Sequence, residues 1–98
     1  MMDEQKKISI NLPPDMMEGV YANLAMITHS DCEFTLDFIR TAPGLASPVV
    51  KSRVVMSPPN AKRLLAALQA NVQIFEKKHG IIRDAPADDP NNLRFNMN

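Results

Sequence analysis

Ser57 to Gly80 reads SPPNAKRLLAALQANVQIFEKKHG, and both of its ends carry the marks of a helix terminus. Ser57 is an N-cap residue, with a hydroxyl placed to accept from a backbone N–H of the first turn. Pro58 falls at the first helical position, where its missing N–H costs nothing and its fixed φ suits the helix. Pro59 is still inside the tolerated first turn. At the other end, Lys77, Lys78 and His79 put positive charge in the last turn, where the helix dipole favours it. Gly80 can take the left-handed conformation that stops a helix. The spacing predicts one helix over 58–79.

Ala61, Leu64, Leu65, Leu68, Val72 and Phe75 repeat at the interval of a single helix face. Lys62, Arg63, Gln69, Gln73, Glu76 and Lys77 make the wet side. Burying the five large apolar side chains would contribute roughly 7–15 kcal/mol gross. A helix of this length cannot bury them by itself, so a covering surface is required. Ala67, Ala70 and Ile74 add apolar surface along one flank. Ile74 is either a lone exposed residue or a contact to another subunit.

The residues before the helix supply the covering surface, because they read as sheet. Ile8, Ile10 and Leu12 alternate with Ser9 and Asn11, the period of a half-buried strand, and Pro13-Pro14 ends it. Val20 to Ser30 is a second strand. Val20, Ala22, Leu24 and Met26 share one face, and Tyr21, Asn23, Ala25, Ile27 and His29 share the other. Neither face is strongly polar, as expected of a central strand covered on both sides. Cys32 to Arg40 alternates strictly, with Cys32, Phe34, Leu36 and Phe38 inward and Glu33, Thr35 and Asp37 outward. A short turn at His29-Ser30-Asp31 joins these two as a hairpin. After the loop TAPGLASP, Val49 to Met56 is a fourth strand. Val50, Ser52, Val54 and Met56 share one face, and Val49, Lys51, Arg53 and Val55 the other. Lys51 and Arg53 are placed to pair with Glu33 and Asp37.

The expected architecture is α+β: a four-stranded antiparallel, meander-like sheet followed by one long C-terminal helix packed on one face. Residues 1–7 read as a flexible leader, 8–82 as the single domain, and 83–98 as a flexible tail. Within that tail, DAPADDPNN has a linker's composition. Leu93, Phe95 and Met97 alternate after it, either as a disordered end or as a short strand docking on a sheet edge.

Composition narrows the classes of function. The chain has 98 residues, with Lys+Arg 11 against Asp+Glu 11. Balanced charge argues against nucleic acid and anionic membrane surfaces as partners. A chain of this size buries a modest share of its surface, so association would help it. The single cysteine excludes an internal disulfide framework and a multi-cysteine zinc site. No apolar run reaches membrane-spanning length. MMDEQKKISI lacks the apolar stretch of a signal peptide, so a cytoplasmic protein is expected.

Candidate chemistry is sparse. His29, Asp31 and Cys32 fall together in the hairpin turn and could hold a nucleophile, a base and an orienting carboxylate. Adjacent strand residues point to opposite faces, however, and a cysteine in an alternating strand is more often a packed apolar residue. Glu33 and Asp37 are a possible acid–base pair, but Lys51 and Arg53 would neutralise them. Two histidines, His29 and His79, are too few for a zinc site. With three glycines no phosphate-cradling loop is present. No catalytic residue, metal ligand or cofactor is assigned. The seven methionines are either core filler or an adaptable surface for binding polypeptide.

The runs EGVYANLAMITHSDCEFTLDFI (Glu18 to Ile39) and RVVMSPPNAKRLLAALQANVQIFEKKHG (Arg53 to Gly80) resemble the small prokaryotic family called domain of unknown function 3467. The most specific pieces are Tyr21-Ala22-Asn23, the Glu33-Phe34…Asp37-Phe38 strand, and Arg53…Met56-Ser57-Pro58 leading into the helix. The resemblance spans about residues 6 to 82 and implies no activity. The inferred order, four strands then a long helix, is also similar to the SecB export-chaperone fold, a likeness of topology alone. It implies dimers or tetramers and an apolar surface for unfolded chains. The leading expectation is therefore a non-enzymatic, homo-oligomeric interaction module, a homodimer or tetramer that takes other polypeptides. Its contacts would be made by Tyr21, Ala25 and Ile27 on the second face of the second strand, and by Ile74 on the helix flank. The competing expectation is a small ligand-binding or enzymatic domain built on the His29–Cys32 turn.

Overall fold

The computed structural model describes residues 8–83. A 3-10 turn at Pro14–Met16 is followed by three strands, β1 (Leu24–His29), β2 (Phe34–Arg40) and β3 (Val49–Met56), and by one helix, α1 (Pro58–His79). The strands form an antiparallel meander in the order β1-β2-β3. The α+β class and the C-terminal helix are as the sequence predicts. The expected leader at 1–7 and the tail beyond Arg83, with its docking strand, lie outside the described residues.

The helix ends as its sequence dictates. Ser57 is extended (φ −71°, ψ 157°), and its Oγ accepts from the Asn60 N–H at 3.4 Å. Gly80, at φ 98°, donates its N–H to the Glu76 carbonyl at 2.8 Å and turns the chain out of the helix. The hairpin is equally local. Ser30 N–H donates to the Glu33 carbonyl at 2.9 Å, while Ser30 Oγ accepts from the Cys32 and Glu33 N–H groups.

Four expectations are corrected. Ile8–Leu12 forms no strand, and Ile8, Ile10 and Leu12 are 77%, 87% and 60% exposed. Alternation makes a strand only where a neighbouring strand completes its ladder, and these five residues have none. The sheet is accordingly three-stranded.

The strand expected from Val20 begins at Leu24, because β2 runs out as a partner. Asn23 N–H still bonds the Ile39 carbonyl at 3.0 Å. Two residues further, just past the end of β2, the Asn23 side chain takes over from the backbone. Its Nδ2 donates to the Thr41 carbonyl at 2.8 Å, and its Oδ1 accepts from the Thr41 N–H at 3.0 Å. A side-chain amide thus stands in for a peptide group.

The third correction concerns the register of β3. Phe38 pairs with Ser52, but Ile39 pairs with Val50, leaving Lys51 as the extra residue of a bulge. The bulge moves Val50 off the Ser52–Val54–Met56 face and onto the face of Ile39 and Arg53.

The fourth is the placement of the helix. It does not lie packed on the sheet. No residue of α1 is buried, and Leu64, Leu65, Leu68 and Phe75 are 40–65% exposed. Strand β3 ends at Met56 and α1 begins at Pro58, so Ser57 is the whole connection. Strand-to-helix connections that fold a helix back over its sheet usually take about 2–6 residues. Ser57 precedes a proline and is confined to extended backbone. The connection is both too short and too stiff for the fold-back that periodicity implies.

Candidate interaction surface

Cross-strand partners share a face, so the register defines the two sides of the sheet. Ala25 faces Phe38, Ile27 faces Leu36 and His29 faces Phe34. Across the other ladder Phe34 faces Met56, Leu36 faces Val54 and Phe38 faces Ser52. From His29 and Phe34 to Ala25 and Phe38 this side carries no aspartate, glutamate, lysine or arginine, and Arg40 stands at its end. Leu36 is buried at its centre, 5% exposed, walled in by its neighbours. Ile27 and Val54, which flank it, are 42% and 38% exposed. His29 closes one end by stacking on Phe34, with ring centroids 5.4 Å apart.

The opposite side is anchored by an ion pair. Asp37 is 2% exposed and is held by a forked contact from Arg53, Nε at 2.6 Å to Oδ1 and Nη2 at 2.9 Å to Oδ2. The Arg53 hydrogen bond lowers the Asp37 carboxyl below its ordinary range. Burial opposes this, and the Arg53 charge adds to it. The same bond raises the Arg53 guanidinium. Of the two expected cross-strand pairs this one forms; among the described residues Lys51 makes none with Glu33.

The helix supplies a second uncovered apolar surface. Taking 100° per residue, Leu64, Leu65, Leu68, Val72 and Phe75 fall within about 60° of Ala61. None of these positions is charged, and the strip is about 21 Å long. Among the described residues the buried apolar ones are Leu36 and Ile39, whereas twenty large apolar residues are exposed.

The four expected contact residues are dispersed. Ala25 and Ile27 do share one face, and it is the Phe34–Leu36–Phe38 face itself, not a second one. Tyr21 precedes β1, is 67% exposed, and has the Arg40 guanidinium 5.5 Å from its ring centre. Ile74 is 65% exposed. It lies about 140° from the middle of the helix strip, with Ala67 and Ala70 on the far side. Sequence reasoning assigns the helix strip to the protein's own core and so misses it as an uncovered surface. The signal that could have found it is the single residue between Met56 and Pro58.

The hairpin turn departs from the packed-cysteine expectation. Cys32 is exposed, because the Ser30 hydrogen bonds hold it in the turn and β2 begins only at Phe34. Its Sγ lies 3.3 Å from Asp31 Oδ1. His29 is engaged with Phe34 instead, so the three residues do not form a relay. Among the described residues no three His, Cys, Asp or Glu side chains gather as metal ligands, and no helix is long and apolar enough to cross a membrane.

A family model described as protein of unknown function (DUF3467) matches residues 1–84. The chain belongs to this family. The match takes in all three strands and α1, and with them both apolar surfaces. Within the matched range lie the Asn23 bridge to Thr41 and the Asp37–Arg53 ion pair. No curated protein and no solved structure matches the chain.

Proposed function

We propose that the protein is a homo-oligomeric, non-enzymatic interaction module, SecB-like in binding non-native polypeptide. One observation carries this reading: twenty large apolar residues are exposed while Leu36 and Ile39 alone among the described ones are buried. A folded single chain rarely leaves so much contiguous apolar surface in water unless another chain covers it. The order of strands then helix supports the same reading by its likeness to a SecB-like topology, with three strands in place of the expected four. Surface left outside the assembly, at Met16, Met17, Val20 and Tyr21, is where an extended apolar segment would bind. Methionine adapts its shape to varied side chains.

Molar mass by light scattering over a wide concentration range tests the first half. Two or four times 10.9 kDa is the expected result, and a monomer at every concentration would refute it. Suppression of the aggregation of a reduced, alkylated model polypeptide tests the second half. Replacing Ile27 with Asp puts a charge at the uncharged centre of the sheet face. It is expected to lower the molar mass at least twofold while the far-ultraviolet circular dichroism keeps its helical and strand signals.

The rival reading rests on the exposed Cys32 thiol beside Asp31. Exposure alone would let alkylating reagents reach it. Only alkylation well above the rate of a free cysteine at pH 7 would favour a reactive site.

A further inference from the structure

We infer that two copies exchange helices, each α1 laying its Ala61–Phe75 strip across the Ile27–Leu36–Val54 sheet face of the other. The inference deepens the oligomeric reading and rests on it. Each chain carries an uncovered sheet face and an uncovered helix strip, and neither surface can reach the other within the chain. Ser57 is too short a connection, and Pro58-Pro59 follow it directly. In a second copy the same two surfaces are free. Exchange satisfies both at once by a two-fold operation in which identical patches meet reciprocally.

The dimensions agree. The helix strip is about 21 Å long, and β2, at seven residues, runs about 23 Å. Lateral helix surface over the ~21 Å of the strip is roughly 650–800 Å², of which the apolar face takes near a third. With an equal area of sheet, each copy would bury about 450–550 Å². The total, about 900–1,100 Å², is close to the ~1,000 Å² that a specific interface needs. The electrostatics agree as well: charge is confined to the margins, Glu76 at about 60° from Ala61 on the helix and Arg40 past Phe38 on the sheet, and the centres of both surfaces carry none. The opposite sheet side would instead set a helix against the Asp37–Arg53 pair.

Disulfide trapping tests the arrangement. In a Cys32→Ser background, chains carrying Ile27→Cys and chains carrying Leu68→Cys are refolded together and oxidised. The expected product is a disulfide-linked pair of one chain of each kind. Multi-copy mass with no such link, or with Ile27→Cys chains linking only to each other, would overturn the exchange and leave the oligomer standing. A monomer in every sample would end both. An independent arm inserts Gly-Ser-Gly-Ser between Met56 and Ser57, giving the helix enough chain to fold back on its own sheet. The expected result is a twofold fall in molar mass with the helical signal kept; an unchanged mass would also overturn the exchange.

Discussion

Asn23 shows how much one side chain can do where a strand ends. Its amide gives Thr41 both a donor and an acceptor, and Thr41 is 9% exposed. Replacing Asn23 with Ala leaves both backbone groups of Thr41 without partners in a place water reaches poorly. The expected loss is about 1–3 kcal/mol, read as a lower denaturant midpoint at unchanged slope. Asp37 sets a different dependence. Its carboxyl titrates lower in the folded chain than the ~3.9 of an unfolded aspartate, chiefly through the Arg53 hydrogen bond. Its stabilising contribution is therefore complete above about pH 4 and is lost as pH falls through the folded value. With Arg53 replaced by Met, the desolvated carboxylate loses its partner and its pKa rises. The variant should be less stable than the parent at pH 7, and the gap should narrow on acidification to pH 3, as followed by thermal melts. Both residues lie within the range that the family model matches.

At the level of elements, local chemistry set what was legible. The helix was readable from end to end, since Ser57, Pro58 and Gly80 act within a turn of themselves. Changing Ser57 to Ala removes the Oγ that serves the Asn60 N–H and should cost about 0.5–2 kcal/mol, visible as a lower midpoint in the helical dichroism signal. Strand β3 is equally plain, and so is the existence of the β1–β2 hairpin, though β1 begins four residues and β2 two residues later than alternation implies. The features that escaped depend on residues far apart in the chain. Asn23 and Thr41 are 18 positions apart, and Lys51 becomes a bulge only against Phe38 and Ile39. Ile8–Leu12 has the alternation of a strand but no ladder to join. Periodicity showed that Leu64, Leu65, Leu68 and Phe75 form a strip; it carried no information about which molecule covers it. Cys32 was misplaced because the inward series was extended two residues too far into a turn governed by Ser30.

For the whole molecule, the small core decides the behaviour. A chain whose described residues bury Leu36 and Ile39 alone among apolar side chains has little to hold it folded in isolation. If association completes the core, protomer concentration and stability are inseparable. Thermal midpoints should then rise with protein concentration, by several degrees across a hundredfold range, whereas a monomer would show one midpoint at every dilution.

The Lys51 bulge bears on a separate hazard. A three-stranded meander leaves β1 and β3 each with an open edge, and an open edge invites further strands without limit. On β3 the extra residue breaks the regular spacing of backbone donors and acceptors, and Lys51 and Arg53 add charge beside it. An incoming strand would find no continuous ladder there. Growth along that edge is discouraged, and β1 is left as the edge open to a further strand. The same irregularity that shifts Val50 across the sheet thus works against strand addition at β3.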